Sequence, residues 1–540
     1  MTSFTHIPRH AIVIGAGVAG LSTAALLGRD GYQVTVVERL DSLGGRSGEE
    51  AVDGFRFDTG PSWYLMPDAF DHFFALFGKR TEDMLDLVEL QPAYRLFPEG
   101  HEPIDVLSGR NNAEALFESI EPGAGAALHD YLDSAAETYD MALERFLYTN
   151  FDSLAGFVDK QMLPRYGDLA KFLTVPLDRF VAKRFKDTRL RQMLTYPAVF
   201  LSSHPRRTPS MYHLMSHTDL VQGVQYPQGG FTAVVDALHT LAVEHGTQVR
   251  LGAEVAAITY ERREATGVRL TGGEELRADV VVSCADLHHT ETRLLPKKLR
   301  TYDESYFAPR DPGLGTVLVM LGVKGKLEQL EHHNLLFSEA WEADFDAVFD
   351  GPVSARPLGA SHSIYVSMPS ATDPSTAPEG CENLFLLVPV PANEDLGHGD
   401  MYREASSEAV SRIADAAVDQ LASWCEIPDL RERIVVQKTL GPADFAERYH
   451  AWRGGSIGPA HTLRQSAFFR GSNASKKLDG LYYAGATTLP GVGVPMCLIS
   501  AENVVKRLRG DRSPSALQAP LADRSPNPKA NRHASFAILP

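Results

Sequence analysis

The chain has 540 residues, of which 44% are hydrophobic and 22% are charged, as in an ordinary globular protein. This length exceeds what one simple domain needs, so we expect two domains that share the chain. The formal net charge of −17 argues against a protein that binds nucleic acid.

The spacing of the cysteines and the distribution of apolar residues indicate where in the cell the protein functions. The four cysteines stand far apart, without a C-x-x-C pair or the spacing of zinc ligands. The first ten residues lack the apolar run of a signal peptide. Two stretches of low charge, 11–28 and 481–501, are interrupted by glycine or proline and do not predict membrane-spanning helices. We therefore expect a cytoplasmic protein with no metal site.

The first motif lies at the N-terminus, where the apolar strand 11–14 runs into Gly15-x-Gly17-x-x-Gly20. These glycines allow a tight turn, a close approach of the backbone to a pyrophosphate, and packing of the next helix on the strand. The returning strand ends at Glu38, whose carboxylate can accept both ribose hydroxyls. The pattern predicts a dinucleotide-binding βαβ unit.

A second glycine-rich turn follows at Leu43-Gly-Gly-Arg46, and Phe57-Asp-Thr-Gly-Pro-Ser-Trp63 comes shortly after it. Both segments resemble flavin oxidoreductases of the amine-oxidase and carotenoid-desaturase superfamily. The resemblance implies that the dinucleotide is FAD and that the second segment runs beside the isoalloxazine ring. The FAD-binding residues expected in this N-terminal part are Gly15, Gly17, Gly20, Glu38, Arg39, Gly44, Gly45, Arg46, Gly60, Pro61, Ser62 and Trp63.

Residues 112–224 are mainly helical in pattern, and 160–207 contains eleven Lys or Arg against three Asp. Apolar and aromatic residues such as Leu163, Tyr166, Phe172, Leu177 and Phe180 are interleaved with the basic ones. A basic amphipathic surface of this kind suits anionic lipid headgroups. The alternative is a solvated helical lid whose charges only keep it soluble.

A second α/β unit runs from about 225 to 295, with a helical pattern over 232–245 and strand-like runs after it. In the superfamily that the sequence resembles, a backbone group near Val255 meets the adenine. Further on, His332 and His333 are polar residues in an apolar stretch and are candidates for acid–base chemistry, although the sequence assigns no catalytic side chain. A pair at a strand edge or on the surface is the more ordinary explanation for them.

The C-terminal motif runs from Gly480 to Pro495 and reads Gly-Leu-Tyr-Tyr-Ala-Gly-Ala-Thr-Thr-Leu-Pro-Gly-Val-Gly-Val-Pro. Together with Gln465-Ser-Ala-Phe-Phe-Arg470 it resembles bacterial-type phytoene desaturases, and the resemblance covers about residues 8–509. Backbone N–H groups of such a loop can reach the pyrimidine edge of a flavin, where negative charge accumulates on reduction. The residues expected to touch FAD here are Gly485, Ala486, Gly493, Val494 and Pro495.

These patterns predict a mixed α/β fold with a discontinuous Rossmann-like FAD-binding domain, a substrate domain and a helical, membrane-facing subdomain. The expected boundaries are 8–111, 225–300 and 455–509 for the FAD-binding domain, 112–224 for the helical lid, 301–454 for the substrate domain, and 510–540 for a disordered tail.

The resemblance implies an FAD-dependent desaturase that introduces conjugated double bonds into phytoene, toward neurosporene or lycopene. Such an apolar substrate lies in the bilayer, so we expect peripheral association with a membrane. No second dinucleotide motif is seen in the sequence, which favours a quinone or oxygen as the electron acceptor.

Three alternatives stay open at this point. The first is a related desaturase that acts on another polyene, such as diapophytoene or the 3,4-position. The second is an amine-oxidase-like or porphyrinogen-oxidase-like flavoenzyme. The third is an FAD-free prenyl-carrier protein built on the same fold.

Overall fold

The computed structural model describes residues 9–151, 166–351 and 359–522. Strands β1–β19 of this part are His10–Ile14, Gln33–Val37, Glu49–Val52, Phe55–Asp58, Leu87–Glu89, Tyr94–Pro98, Ile104–Val106, Gln225–Pro227, Gln248–Arg250, Val255–Glu261, Glu264–Leu270, Glu275–Arg277, Val280–Ser283, Leu314–Lys324, His333–Phe337, Ile364–Ser367, Cys381–Pro391, Ile434–Leu440 and Leu481–Tyr483. Helices α1–α16 are Val18–Arg29, Pro67–Ala75, Arg110–Ile120, Ala124–Ala142, Tyr166–Thr174, Leu177–Ala182, Thr188–Thr195, Met215–His217, Phe231–Glu244, Leu287–Arg293, Glu304–Phe307, Trp341–Phe349, Glu408–Trp424, Leu430–Arg433, Pro442–Tyr449 and Val494–Arg509.

A five-stranded sheet in the order β19-β13-β1-β2-β9 forms the first layer. All of its neighbours are parallel, and three distant parts of the chain supply them. Helices α1, α9 and α16 cover one face of this sheet, and strands β10 and β11 with helix α10 pack on the other, so β1 is buried on both faces, as a continuous apolar run predicts. The discontinuous Rossmann-like fold predicted from the sequence is confirmed.

A seven-stranded sheet in the order β18-β14-β17-β16-β15-β6-β7 forms the second unit. Strands β6 and β7 enter it from the N-terminal segment, since β15 pairs with β6 in parallel register. Their assignment to the FAD-binding domain is therefore wrong. Arg95 of β6 bonds both Asp105 of β7 and Glu331 just before β15, and these ion pairs join the two parts of the chain.

Helices α3–α8 form the region predicted to be helical, and residues 152–165 of it lie outside the described part. Leu177, Phe180, Val181 and Phe185 are buried in a core shared with the second sheet. These apolar residues fill the interior, so they cannot belong to a lipid-facing surface. The basic residues Lys171, Arg179, Lys183 and Lys186 remain exposed.

The tail predicted to be disordered from residue 510 is packed as far as the description extends, to residue 522. The buried Lys506 ammonium donates hydrogen bonds to the carbonyl oxygens of Tyr148, Ser513 and Ser515. Leu517 and Leu521 join the core beside the parallel sheet. Leu521 also bonds Leu76 and Arg29, which lie far away in the sequence, and composition alone does not reveal such contacts. Residues 523–540 lie outside the described part.

Within the described residues no helix is long and apolar enough to cross a membrane. The two stretches of low charge, 11–28 and 481–501, form strand–loop–helix units of the parallel sheet, β1 with α1 and β19 with α16.

Candidate active site

One cavity of about 510 Å³ brings together every residue that the sequence analysis expected at the cofactor. These eighteen residues are Gly15, Gly17, Gly20, Glu38, Arg39, Gly44, Gly45, Arg46, Gly60, Pro61, Ser62, Trp63, Val255, Gly485, Ala486, Gly493, Val494 and Pro495. Most of them follow strands of the parallel sheet, at the edge where open α/β sheets bind their ligands, whereas Gly60 to Trp63 follow β4 and Val255 begins β10.

Glycines allow the segments that line this cavity to meet backbone to backbone. The N–H of Gly44 donates to the carbonyl of Ala16 at 3.0 Å, so the two glycine-rich turns are bonded directly. A Cβ atom on Gly20 would overlap the carbonyl oxygen of Gly15, and a Cβ on Gly60 would overlap that of Arg46. No larger residue fits at these two positions without moving the backbone.

Two helices begin at the cavity wall. Gly17 precedes α1 and Gly493 precedes α16, and neither helix has a side-chain cap or an acidic residue in its first turn. The unpaired N–H groups and the positive dipole ends are therefore available to an anionic ligand.

Glu38 is 7% exposed, and its carboxylate accepts hydrogen bonds from the N–H of Ala16 at 2.7 Å and of Leu40 at 2.9 Å. These bonds fix the carboxylate at the end of β2 and leave it further lone pairs for ribose hydroxyls. Arg39 lines the cavity as well, but it donates to the carbonyls of Glu447 and Arg448 and so joins the two units of the fold.

Arg46 provides a direct test of whether this cavity fits FAD. Its Nε–H is buried and has no hydrogen-bond partner among the described residues, while Nη1 donates to the carbonyl of Ile457 at 3.3 Å. A buried, unpaired guanidinium N–H on a cavity wall calls for an acceptor from a ligand. With the two helix ends and Glu38, these groups fit the phosphates, ribose and flavin of FAD.

A pair of stacked histidines lies on the same wall, beside Glu254. The rings of His289 and His450 are parallel, with centroids 3.8 Å apart. Burial lowers the pKa of His289 to about 3, and it lowers the pKa of His450 as well, so both rings are neutral at pH 7. No local pattern in the sequence indicates this pair, because 161 positions separate its two members.

Trp63 forms the floor of the cavity near Ser62. The ring of His333 stacks on it, with centroids 4.4 Å apart. Ser62 Oγ lies 2.7 Å from the hydroxyl of Tyr365, which lies 2.8 Å from Nδ1 of His333. A hydrogen-bonded chain therefore leads from the cavity to His333, which lies behind the wall.

The two histidines singled out in the sequence, His332 and His333, are 4% and 0% exposed, so their interpretation as a surface pair is wrong. Burial lowers the pKa of His332 to about 3 and that of His333 further, and both are neutral. Nε2 of each ring has no partner among the described residues. Neither histidine lines the cavity.

A second tyrosine–histidine pair lies on the cavity wall and was missed in the sequence. The hydroxyl of Tyr212 lies 2.7 Å from Nδ1 of His461, and the N–H of Val492 donates to Nε2 of that ring at 3.2 Å. Burial keeps the pKa of His461 well below its usual value, so the ring is neutral and its hydrogen is on Nδ1. Tyr212 is then the acceptor of that hydrogen bond.

The remaining walls of the cavity are mainly apolar and come from the helical region, the second sheet, helix α15 and the residue before α2. They include Met66, Ala142, Leu147, Phe200, Leu214, Met215, Leu318, Phe385, Leu387 and Phe445. This arrangement encloses apolar space beside the groups that fit FAD, which suits an apolar substrate.

Comparisons with known proteins agree with this geometry. A family model described as flavin-containing amine oxidoreductase matches residues 18–509. The chain is 41% identical to a carotenoid 3,4-desaturase from Haloarcula japonica, over 92% of this chain and 98% of that protein. It is 33% identical to a zeta-carotene-forming phytoene desaturase from Myxococcus xanthus, over 93% and 94%.

Solved structures show the same fold at low sequence identity. An oxidoreductase from Methanosarcina mazei is 17% identical with a TM-score of 0.57, covering 92% of this chain and 100% of its own. Cyclohexylamine oxidase from Brevibacterium oxydans is 15% identical with a TM-score of 0.55, covering 93% and 100%.

Proposed function

The chain belongs to the flavin-containing amine oxidoreductases and, within them, to the carotenoid desaturases, and on that premise we propose that it uses FAD to desaturate a long carotenoid polyene in the cavity described above. One observation carries this proposal: the groups that fit FAD and a wall of apolar side chains enclose the same space. The eighteen residues expected at the cofactor hold FAD in this proposal.

Similarity in sequence favours 3,4-desaturation as the reaction, since identity is 41% to the 3,4-desaturase and 33% to the phytoene desaturase. Desaturation of phytoene toward neurosporene or lycopene is the second candidate. Both reactions remove two hydrogens from neighbouring carbons of an apolar chain, so the same cavity suits either.

The residues of the chain contribute positioning and the removal of a proton. When bound, FAD would supply the acceptor for a hydride from an allylic carbon of the polyene. Trp63 and Phe200 line the cavity and provide flat, apolar surfaces against which the polyene lies. The cation left on a conjugated chain is strongly acidic, so a weak base suffices to take the neighbouring proton.

The Ser62–Tyr365–His333 chain is our candidate for this base. Its two hydroxyls reach the cavity wall, and neutral His333 can accept a proton at Nδ1. His461 cannot do the same for Tyr212, because its Nε2 already accepts the N–H of Val492 and its Nδ1 carries the hydrogen.

Expression in two bacterial hosts tests the reaction, one that accumulates phytoene and one that accumulates lycopene. A 3,4-desaturase adds double bonds to the lycopene pool and leaves phytoene unchanged, whereas a phytoene desaturase consumes phytoene. Chromatography of the pigments distinguishes the two, and the purified protein should be yellow with flavin absorbance. Unchanged pigment in both hosts, with a flavin-loaded protein, would refute the proposal.

We also propose a docking surface for anionic membranes, made of Lys171, Arg179, Lys183, Lys186, Leu463, Phe468 and Phe469. The three apolar residues are 41%, 44% and 58% exposed in that order and stand close together in the sequence, and clustered exposed apolar side chains mark interaction sites. The basic and the apolar residues of this surface both lie near the segment that contains Ser210 and Tyr212. On the basic side, the N–H of Ser210 donates to the carbonyl of Val175, directly after α5. On the apolar side, the Tyr212 hydroxyl lies 3.4 Å from Ser466 Oγ.

Vesicle flotation tests the docking surface with two matched double variants. Lys183→Glu with Lys186→Glu should weaken binding to anionic vesicles more than tenfold, because each basic residue near such a surface contributes about 1 kcal/mol. Arg269→Glu with Arg412→Glu changes the same charge at exposed positions elsewhere and should have little effect. Equal loss of binding in both double variants would refute the surface.

The electron acceptor is proposed to be a quinone or oxygen. Measuring how fast each of them reoxidises the reduced flavin would test this.

A further inference from the structure

Arg470 is a buried cation without a carboxylate partner. It is 5% exposed, and no ion pair joins it to any acidic residue in 9–151, 166–351 or 359–522. Its guanidinium donates instead to the carbonyls of Ala486 at 2.7 Å and Thr488 at 2.9 Å, and at 3.3 Å to those of Pro459 and Gln465. Charges are almost never buried unless they are paired, so this one needs a reason.

Burial lowers the pKa of Arg470 to about 10, so the group still carries its charge at pH 7. The nearby hydroxyls of Tyr212 and Tyr306 are neutral, because burial raises the pKa of both above the usual value. Neutral carbonyls and hydroxyls solvate the cation but do not cancel its charge. Its electrostatic field therefore extends beyond the peptide groups whose carbonyls it binds.

Those peptides form the cavity wall. Ala486 and Thr487 line the cavity, whereas Arg470 lies behind them. Since the C=O and N–H of one planar peptide point in opposite directions, holding the Ala486 carbonyl turns the N–H of Thr487 away from Arg470. That N–H donates no hydrogen bond to any of the described residues. The unpaired N–H of Thr487 and the positive charge of Arg470 behind it therefore lie on the same side of the cavity.

We propose that Arg470 is a positioning residue that makes the bound flavin easier to reduce, by orienting the peptides from Ala486 to Thr488 and by placing a positive charge behind them. Reduction adds electrons to the ring, and its negative charge accumulates at the pyrimidine edge, where donors and a cation stabilise it. The inference rests on the proposed placement of FAD against this loop.

The midpoint potential of the bound flavin tests this role without any turnover assay. Arg470→Gln keeps hydrogen-bond donors but removes the charge, and it should lower the equilibrium constant for two-electron reduction at least tenfold, a shift of about 30 mV to more negative values. Arg470→Lys keeps the charge and should lie nearer to the wild-type potential. Arg464→Gln removes an exposed charge from the same segment and should leave the potential unchanged.

A Gln variant that binds FAD at full stoichiometry with the wild-type potential would overturn the inference. Should neither variant at Arg470 yield a flavoprotein, the wild-type protein gives the answer. Its reduced flavin should remain anionic at a pH where free reduced flavin is already protonated, and a neutral reduced flavin there would overturn the inference. A wild-type protein that never binds FAD would instead refute the placement of the cofactor.

Discussion

The two sides of the cavity are built in different ways. The cofactor side presents peptide groups: glycine turns in backbone contact, and the first turns of α1 and α16. The substrate side presents side chains from the helical region and the second sheet. Recognition by backbone requires particular residues at fixed spacing, whereas an apolar wall can be made from many side chains. The cofactor side should therefore tolerate very little change, and the substrate side considerably more.

The largest effect is expected at Gly20. A methyl group there would overlap the Gly15 carbonyl and push α1 from its strand, so Gly20→Ala should lose bound FAD almost completely. Gly272 has open space around it and ordinary backbone geometry, so Gly272→Ala is the matched control and should bind FAD normally. Flavin content per chain after purification measures both. A Gly20→Ala protein with full flavin content would contradict the comparison.

On the substrate side, Tyr365 should be sensitive to substitution if it transfers the proton that leaves the polyene. Tyr365→Phe breaks the link between Ser62 and His333 and should lower turnover on the order of a hundredfold, the lower range for general base catalysis, with flavin content unchanged. Tyr212→Phe removes the hydroxyl of the other tyrosine–histidine pair and should change turnover much less. Equal effects of the two substitutions would show that the proton does not leave through His333.

Packed side chains can titrate, whereas peptide groups cannot. The buried histidines behind Trp63, His332 and His333, should therefore make the stability of the fold depend on pH. The pKa of His332 falls from its usual value near 6.5 to about 3 on folding, so the unfolded chain binds the proton first. The free energy of unfolding contributed by this residue is complete above about pH 6.5 and falls by about 1.4 kcal/mol per pH unit below it.

Replacing His332 by Gln removes one group that binds a proton on unfolding. The free energy of unfolding should therefore change less steeply with pH between about pH 6 and pH 5. Denaturant unfolding at both pH values measures the slopes. A wild-type slope in the His332→Gln protein would mean that this ring is protonated in the folded state.

The smallest effect is expected at Thr316. Its hydroxyl is buried on the cavity wall and has no partner among the described residues, so Thr316→Val should raise the free energy of unfolding by up to about 1 kcal/mol. For a pure hydrocarbon substrate, KM should stay the same. A rise in KM would indicate that Thr316 binds a polar group on the substrate, which would narrow the choice of polyene.

The same contrast explains how much the sequence could predict. The glycine turns, Glu38 and the C-terminal loop each carry a local pattern, and all of them meet at one cavity. The stacked pair His289 and His450 has no such pattern, because its members meet only through the fold. Packing of residues 511–522 includes hydrogen bonds between Leu521 and both Leu76 and Arg29, and partners so far apart in the sequence carry no local pattern.

Strands β6 and β7 were misplaced for a similar reason. They follow the cofactor segment in the chain without a break in composition, and only their pairing with β15 assigns them to the second sheet. Sequence order is a weak guide wherever one chain crosses repeatedly between two sheets.

The parallel sheet takes its central strands from the start of the chain and its edge strand β19 from near residue 480, with α16 beyond it. A ribosome makes these parts in that order, so the pocket stays open until the last strand and helix have left the exit tunnel. Flavin insertion must then be a late step in the life of the nascent chain. A premature stop before β19 would yield no half-active fragment, only a polypeptide with an exposed apolar sheet edge for chaperones and proteases to recognise.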